Sequence, residues 1–353
     1  MYILGIETSC DETSVAVLGE DGSVVSNLIA SQVRRHEPFG GVVPEIASRE
    51  HLANLMPLLA KSLDEAAITL DDVSAVAVTA GPGLIGALLV GVAGAQGLAW
   101  GRDIALVPVN HLEGHIFSGF LLSSGPADPI PGRFLSLVVS GGHSSVYDVT
   151  EGSIMMVNRT RDDAAGEVFD KVAKFLGFPY PGGPHIETAS EDRDRNRFEF
   201  SIARFKEETK DFSFSGLKST AIRIARQHGL EGAAGSDKHA ETIGDFCASF
   251  QGAIGDQLLD RLTQIWDDES RWVDGVADEV GLAGGVAANG SLRRRLERWC
   301  AERSVKVRLA ERRFCTDNGA MIAWAGAQSL KRGEARDPRR VPARSRIRVG
   351  ETF

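Results

Sequence analysis

Two histidines four residues apart are the first candidates for chemistry in this sequence. His111 and His115 follow the apolar run from Ile104 to Val109, which predicts a buried strand ending where a helix begins. Positions four apart share one face of a helix, so both imidazoles can bind the same metal ion. The pair therefore predicts a metal site, and two surface histidines on a helix are the alternative.

The position of Glu113 indicates which kind of metal site the pair can form. In the His-Glu-x-x-His arrangement of zinc proteases, the glutamate directly follows the first histidine and serves as the base. Glu113 stands two residues after His111 and points about 200° away from it on a helix. The spacing therefore favours a metal site that lacks the protease base.

Asp317 is the best candidate for a third metal ligand. It lies in a loop before a segment of small residues, so this segment and the histidine segment both follow a strand and open a helix. Two histidines and one carboxylate leave open coordination positions and suit iron or zinc. An aspartate that merely caps its helix is the alternative.

The composition predicts a large folded protein. Of the 353 residues, 43% are hydrophobic, which is enough for an extensive core. The four cysteines lie far apart in sequence, which predicts no disulfide framework and fits the reducing cytoplasm, and the first residues resemble a strand rather than a signal peptide. Because Gly81-Pro82-Gly83 divides the uncharged run from Val73 to Gly101, we expect no membrane span.

The charge distribution points in two directions. A net charge of −9 disfavours a bulk nucleic-acid binder. Residues 331–353, however, contain eight Lys or Arg against three acids. This basic tail is either a solvated surface or a patch that contacts RNA.

The second half of the chain begins like the first. Tyr2–Thr8 and Phe134–Val139 each predict a strand that opens a three-strand unit, and the segment Val73–Trp100 is echoed by Val280–Asn289 and the helix after it. Such a repeat predicts two related α/β lobes around a nucleotide cleft, the plan of actin-like ATPases, sugar kinases and Hsp70.

Several turns in the second half are candidates for binding an anion. Ser140-Gly141-Gly142-His143 and Gly284–Asn289 follow strands, and their backbone N–H groups can closely approach a phosphate or a carboxylate. Asp170, inside a helix, can accept hydrogen bonds from a pair of ribose hydroxyls. Each feature alone is also compatible with an ordinary turn or helix.

Taken together, these segments occur in the order found in one enzyme family. The sequence resembles the tRNA threonylcarbamoyladenosine transferases, the TsaD family, over nearly its whole length, and its opening looks like the bacterial branch. The segments that carry the resemblance are Gly5–Thr13, the histidine pair, Val139–His143, Asp162–Lys171, Pro181–Pro184, Phe212–Lys218, Gly284–Asn289 and Asp317–Met321.

The resemblance implies an acyltransferase. Members of the family transfer the threonylcarbamoyl group from threonylcarbamoyl-AMP to N6 of the adenosine at tRNA position 37, which forms t6A and releases AMP. The substrates are tRNAs that read codons beginning with adenine. An actin-like small-molecule kinase and a metalloprotease are the alternatives; the kinase would need neither the histidine pair nor Asp317.

The resemblance also assigns roles to individual residues. His111, His115 and Asp317 would bind one divalent metal per subunit, with iron favoured over zinc. Asp11 is our candidate for the base that activates the poorly nucleophilic adenine amine, because the first hairpin of this fold faces the cleft; a turn-capping aspartate is the alternative. The residues that would bind the adenylate are Val139, Ser140, Gly141, Gly142, His143, Asp170, Gly183, Glu187 and Asn289.

Partners and domain limits follow from the same resemblance. A TsaC-type enzyme would supply the adenylate, and a TsaB-like paralogue and a TsaE-like ATPase would assist. The TsaB-like chain would dock through the helix after Gly40, where Val42, Val43 and Ile46 would be partly exposed. The first lobe would comprise residues 1–112 plus 319–353, and the second lobe residues 113–318.

Overall fold

The structure, a computed structural model, describes residues 1–202, 209–272 and 275–353. The chain divides into two compact units. Unit 1 consists of Met1–Ile130, Gly152–Ile154 and Ala310–Phe353, and unit 2 consists of Pro131–Glu151 and Met155–Leu309.

The described residues form two five-stranded sheets and the helices that cover them. The first sheet contains β1 (Tyr2–Glu7), β2 (Glu12–Gly19), β3 (Val24–Ser31), β4 (Val73–Gly81) and β5 (Ala105–Asn110). The second contains β6 (Arg133–Val139), β7 (Ser144–Thr150), β8 (Ser153–Arg159), β9 (Glu279–Ala283) and β10 (Lys306–Leu309). The helices are α1 (Val33–His36), α2 (Pro44–Glu65), α3 (Ile85–Arg102), α4 (His111–Ser118), α5 (Ala165–Leu176), α6 (Gly182–Ala189), α7 (Ser215–Gln227), α8 (Ala240–Trp266), α9 (Gly290–Glu302), α10 (Arg312–Cys315) and α11 (Gly319–Lys331).

The two sheets have the same topology. Their strand orders are β3-β2-β1-β4-β5 and β8-β7-β6-β9-β10. In the first sheet β1 is antiparallel to β2 and parallel to β4, and in the second β6 is antiparallel to β7 and parallel to β9. This correspondence confirms the predicted duplication and the α/β class.

The first sheet is covered by helices on both faces. Leu4 and Ile6 of β1 are fully buried in a core shared with α2 and α3. Side chains alternate along a strand, so the residue between them, Gly5, faces the opposite side. There α11 packs so closely that a Cβ on Gly5 would lie 2.8 Å from the Cβ of Ala323. The small residues of β1 and α11 therefore allow this helix to lie directly on the sheet.

One edge of the first sheet collects the segments that carry the candidate chemistry. Strands β1, β4 and β5 are neighbours and run parallel, so their carboxyl ends meet at the same edge. The turns after β1 and β4 touch there, since the N–H of Leu84 donates to the carbonyl of Ser9 at 2.9 Å. Helix α4 begins at His111, directly after β5. The topology therefore brings the start of α4 beside the end of β1.

The limits of the two units differ from the predicted lobes. The prediction assigns residues 113–318 to the second lobe, whereas residues 113–130 and 310–318 belong to unit 1. The physical reason is packing between helices. Gly114 of α4 lies against Met321 and Ile322 of α11, so close that a Cβ on it would be 2.8 Å from the Ile322 side chain. The segments of His111, His115 and Asp317 therefore belong to the same unit.

Unit 2 is built around the long helix α8. Periodicity predicts this helix over Thr242–Trp266, and it spans Ala240–Trp266. Phe250 of α8 packs edge to face on Phe169 of α5, with ring centroids 5.6 Å apart. Helices α6 and α9 also contact α8, and these contacts position the turns that precede α6 and α9.

Among residues 1–202, 209–272 and 275–353, we find no helix with the length and apolar character needed to cross a membrane.

Candidate metal centre and anion-binding turns

Three of the predicted residues lie together at the carboxyl edge of the first sheet. His111, His115 and Asp317 each offer a ligand atom, and these atoms all lie within 4.8 Å of one another. Oδ1 of Asp317 is 3.5 Å from Nε2 of His111 and 3.2 Å from Nε2 of His115. The two imidazoles are nearly perpendicular, with ring centroids 4.8 Å apart. The group can therefore present two nitrogens and one carboxylate oxygen to a common point.

The start of α4 fixes the direction of both histidines. Asn110 caps the helix, because its side-chain oxygen accepts a hydrogen bond from the N–H of Leu112 at 3.0 Å. His111 is thereby the first residue of the helix, and His115 follows one turn later on the same face. The surface-histidine alternative does not apply, because His111 and His115 are buried.

His115 provides the test of whether these residues fit a metal. Its side chain is fully buried, and neither ring nitrogen makes a hydrogen bond among the described residues, although Oδ1 of Asp317 contacts Nε2 at 3.2 Å. Buried polar atoms in native proteins normally have partners, and a metal ion is one kind of partner for an imidazole nitrogen. The donor set of two imidazoles and one carboxylate is compatible with a single divalent metal.

The environment of His111 is strongly anionic. Burial alone would lower the pKa of His111, but the charges of Asp317 and Glu7 outweigh burial and raise this pKa to about 9. Burial alone would raise the pKa of Glu7, but the charge of His111 and its hydrogen bond lower it. The site thus favours a positive charge at His111, whether a proton or a metal ion supplies it.

Asp317 does not cap its helix. The N-cap of α11 is Asn318, whose side-chain oxygen accepts from the N–H of Met321 at 2.9 Å. The capping alternative for Asp317 is therefore wrong, because the neighbouring residue already fills that role.

Glu113 lies apart from the metal group, as its spacing predicts. Its Oε1 accepts a hydrogen bond from the N–H of Gly350 in the C-terminal segment at 3.3 Å. Burial raises the pKa of Glu113. The carboxyl of Glu113 is therefore engaged with the backbone away from the metal group and is not placed to act as a protease base.

Two further carboxyl groups follow β1. Burial raises the pKa of Asp11, and the nearby charge of Asp317 acts in the same direction. Burial also raises the pKa of Glu12, to about 8, and Oε2 of Glu12 has no hydrogen-bond partner in the described parts of the chain. Both groups lie within electrostatic range of Asp317. On sequence, Asp11 and Glu12 are the alternatives to Asp317 as the third metal ligand.

In unit 2, the two predicted glycine-rich turns lie side by side. Strands β6 and β9 are parallel neighbours, with Val138 opposite Ala283, so the turns that follow them emerge at one edge. Gly284 has a φ of +91° and its Cα lies against the backbone of Val139. The turn Ser140–His143 is closed by a hydrogen bond from the N–H of Ser140 to the carbonyl of His143 at 2.8 Å.

The start of α5 supports the first of these turns. The N–H of Gly166 donates to the carbonyl of Ser140 at 3.2 Å, and a Cβ on Gly166 would lie 2.6 Å from that oxygen. Only glycine permits this approach, and Gly166 carries no distinctive signal in the sequence.

The remaining predicted adenylate residues are tied to two helix starts. Asp170 accepts through Oδ1 from the N–H of Gly182 at 2.7 Å, which places it next to Gly183. Glu187 accepts through Oε1 from the N–H of Gly290 at 2.7 Å. Unit 2 therefore brings Asp170 beside Gly183, and Glu187 beside Asn289.

Asn289 has a structural task that the sequence did not reveal. Its side-chain oxygen caps α9 by accepting from the N–H of Leu292 at 2.9 Å, and its Nδ2 donates to Oε1 of Gln251 at 2.7 Å. Gln251 in turn donates to the hydroxyl of Ser190 at 2.6 Å. Gln251 thus connects the start of α9 with the end of α6, and no sequence motif indicated this role.

Comparison with solved structures supports the fold. Over 94% of this chain and 96% of the other, the chain is similar, with a TM-score of 0.53 and 15% identity, to the activator of 2-hydroxyisocaproyl-CoA dehydratase from Clostridium difficile with bound ADPNP. The duplicated sheets and this likeness place the chain in the class of α/β proteins with the actin-like ATPase and sugar-kinase fold, here with a two-histidine, one-aspartate group in unit 1.

Comparison of sequences then gives the family. The model of the family described as TsaD, tRNA N6-adenosine threonylcarbamoyltransferase, matches residues 23–324. A protein of that name from Syntrophobacter fumaroxidans is 43% identical over 98% of this chain and 99% of its own length. Another from Desulfitobacterium hafniense is 46% identical over 92% of this chain and 91% of its own length. The chain belongs to the tRNA N6-adenosine threonylcarbamoyltransferase family, and is thus an acyltransferase; neither the kinase nor the metalloprotease alternative is favoured.

Proposed function

We propose that the chain transfers the threonylcarbamoyl group from threonylcarbamoyl-AMP to N6 of adenosine 37 in tRNAs that read codons beginning with adenine. The observation that carries the proposal is the meeting of His111, His115 and Asp317 at one sheet edge, from segments in the middle and near the end of the chain. Family membership supports the acyl-transfer class.

The metal in this proposal is one divalent ion held by His111, His115 and Asp317. Three protein ligands leave open positions for substrate oxygens, and two imidazoles with one carboxylate suit iron(II), with zinc as the second choice. When bound, such an ion supplies Lewis-acid stabilisation of charge on a carbonyl oxygen. Helix α4 positions the two histidines, and the loop before α11 positions Asp317.

The residues of unit 2 bind the adenylate in this proposal. The turn Val139–His143 binds the phosphate through the N–H groups of Gly141 and Gly142, because those of Ser140 and His143 donate within the turn. Asp170, Gly183, Glu187 and Asn289 bind the adenosine. Support comes from the adjacent turns after β6 and β9 and from the hydrogen bonds that connect Asp170 with Gly182 and Glu187 with Gly290. Positioning of AMP as the leaving group supplies part of the rate enhancement.

Asp11 acts as the general base. Adenine N6 must lose a proton when it becomes acylated, and a carboxylate near the metal can accept that proton. Burial raises the pKa of Asp11, which brings it closer to the operating pH and makes the group a stronger base. The charge of Asp317 also raises the pKa of Asp11, so the two carboxyl groups interact at the carboxyl edge of the first sheet.

The basic tail contacts tRNA phosphates. Its backbone lies along the same edge of the first sheet, because the N–H of Arg344 donates to the carbonyl of Ala80 at 2.8 Å and the N–H of Gly83 donates to that of Ser345 at 3.3 Å. The side chains of Arg344 and Arg346 are exposed. They thus offer positive charge near the turn that touches Ser9.

A TsaB-like chain docks on unit 1, a TsaE-like ATPase assists, and a TsaC-type enzyme supplies the adenylate. The predicted residues Val42, Val43 and Ile46 are partly exposed at the start of α2. Beyond them, Leu52 of α2 is 72% exposed and Leu89 of α3 is 53% exposed, so the apolar surface continues over both helices. The double variant Leu52→Glu, Leu89→Glu should lose co-purification with a TsaB homologue while its metal content stays unchanged.

A reconstituted reaction tests the proposed function. The purified chain with iron(II) is mixed with threonylcarbamoyl-AMP, an unmodified tRNA that reads an adenine-initial codon, and the TsaB and TsaE homologues. Mass analysis of the tRNA nucleosides should show t6A and an equal amount of AMP. A matched tRNA with guanosine at position 37 should remain unmodified. Release of AMP without t6A in the tRNA would overturn the proposal.

A further inference from the structure

Glu7 is a buried carboxylate next to the metal group. It is fully buried at the end of β1, and its Oε2 lies 3.0 Å from Nδ1 of His111. The other ring nitrogen of His111, Nε2, faces Asp317. We infer that Glu7 is a positioning residue that fixes the tautomer and the orientation of His111 for metal binding; this inference rests on the proposed metal role of His111.

The argument begins with the hydrogen-bond donors around Glu7. An ionised carboxylate only accepts hydrogen bonds. Glu7 accepts from the hydroxyl of Thr79 through Oε2 at 2.6 Å, from the N–H of Ser9 through Oε1, and from Nδ1 of His111 through Oε2. Three donors from the ends of three segments therefore hold this carboxylate in one position.

The second step concerns the proton on His111. Nδ1 lies 3.0 Å from the Glu7 carboxylate, whereas Nε2 lies 3.5 Å from that of Asp317. The closer contact places the hydrogen of neutral His111 on Nδ1, and the lone pair resides on Nε2. The Ser9 hydroxyl, 3.1 Å from the same Nδ1, adds a second contact on that side of the ring. Nε2, which lies 3.5 Å from Oδ1 of Asp317, is then the atom that binds a metal. Carboxylate partners of metal-binding histidines act in this way and also raise ligand basicity.

The third step concerns charge. The three donors to Glu7, which are Thr79, Ser9 and His111, include no Lys or Arg. A buried carboxylate requires a compensating cation. With Glu7 counted, two carboxylates and two neutral imidazoles balance one divalent ion. The three-ligand set by itself would leave a net charge of about +1. Glu7 therefore brings the summed charge of the ion, its three ligands and this carboxylate to zero.

The test uses the metal-free full-length chain and Zn²⁺ as the probe. Glu7→Gln keeps the size of the side chain, but its NH₂ must face either the N–H of Ser9 or Nδ1–H of His111, so one donor meets another. Competition with a chelator should show that Zn²⁺ affinity falls by about 10- to 100-fold, the usual effect of losing such a partner. Glu113→Gln, the same change on α4 at a carboxyl bonded to Gly350, should retain wild-type affinity.

A second readout separates positioning from general damage. In a ¹⁵N NMR spectrum of the metal-free chain above the pKa of His111, the wild-type ring should be the single Nδ1–H tautomer, and Glu7→Gln should give a mixture. Thr79→Val, which removes one donor to Glu7 without removing its charge, should lower Zn²⁺ affinity less, and it serves if Glu7→Gln fails to fold. Wild-type affinity, or an unchanged tautomer, in both variants would overturn the inference. No step of this test uses tRNA or adenylate, so absence of t6A formation would leave its outcome unchanged.

Discussion

Replacing Asp317 by asparagine separates metal binding from folding. The carboxylate oxygen lies 3.5 Å from Nε2 of His111, and opposite unit charges at that distance attract by about 5 kcal/mol at an effective dielectric constant of about 20. The side chain of Asp317 is 20% exposed, so we expect solvent and the cost of burying the charge to leave about 2 kcal/mol. In the metal-free protein the pKa of His111 should then fall from about 9 by about 1 to 2 units.

The same change should abolish tight metal binding. A divalent ion carries twice the charge of a protonated imidazole, so the lost attraction doubles to about 4 kcal/mol, a roughly thousandfold loss of affinity. Elemental analysis of the purified variant and chelator competition measure this loss, and ¹H NMR titration of the imidazole measures the pKa. Wild-type metal stoichiometry at wild-type affinity would refute the reasoning.

The neighbouring residue provides the matched control. Asn318→Ala removes the N-cap of α11 and should lower the free energy of unfolding by about 1 kcal/mol, with the metal ligands intact. Asp317→Asn should show the opposite pattern, with metal lost and the metal-free stability nearly unchanged above the pKa of His111. If Asn318→Ala lost the metal as well, helix fraying rather than ligation would explain the effect of both variants.

Three further outcomes are expected. The pKa of Glu12 is raised from 4.5 to about 8 in the folded chain, so the free energy of unfolding of the metal-free protein should fall by about 1.4 kcal/mol per pH unit as pH rises between these values. Glu12→Gln should flatten this slope in denaturant titrations, and an unchanged slope would contradict the assignment. Gly166→Ala should displace the Ser140 turn and weaken adenylate binding by calorimetry about tenfold or more, whereas Gly216→Ala, which meets no neighbour within 4 Å, should not. Neutralising Arg339, Arg340, Arg344 and Arg346 should weaken tRNA binding and reduce its salt slope by about one unit per lost contact, with adenylate binding unchanged; a constant slope would make the tail a solvated surface.

The repeated strands were predictable because their apolar runs are short and bounded by turn residues. The strand predicted at Phe134–Val139 spans Arg133–Val139, and two further strands follow it as predicted. The duplication followed from comparing these patterns. The ligand atoms of His111, His115 and Asp317 also converge. The histidines follow β5 at the carboxyl edge of the first sheet, whereas Asp317 arrives with α11, which packs on β1 and α4.

Long-range packing and local hydrogen bonds were not predictable in the same way. The limits of unit 1 depend on how closely Gly114 approaches α11, and no periodicity in the sequence records which helix a glycine will face. The sequence did not reveal that Asn318 is the N-cap of α11, because aspartate and asparagine are equally favoured at N-cap positions. Glu7 carried one signal, a charged side chain at the end of an apolar strand, but its partners come from residues 79 and 111.

The position of Asp317 in the chain has a consequence for synthesis. The first sheet takes its strands from the first third of the chain, whereas α11 and Asp317 follow the whole of unit 2. A ribosome releases the histidine pair long before the aspartate, and contacts between such distant segments form slowly. A nascent chain therefore carries only an incomplete, weakly binding pair for most of its elongation time. Tight capture of the proposed metal therefore requires nearly the entire polypeptide.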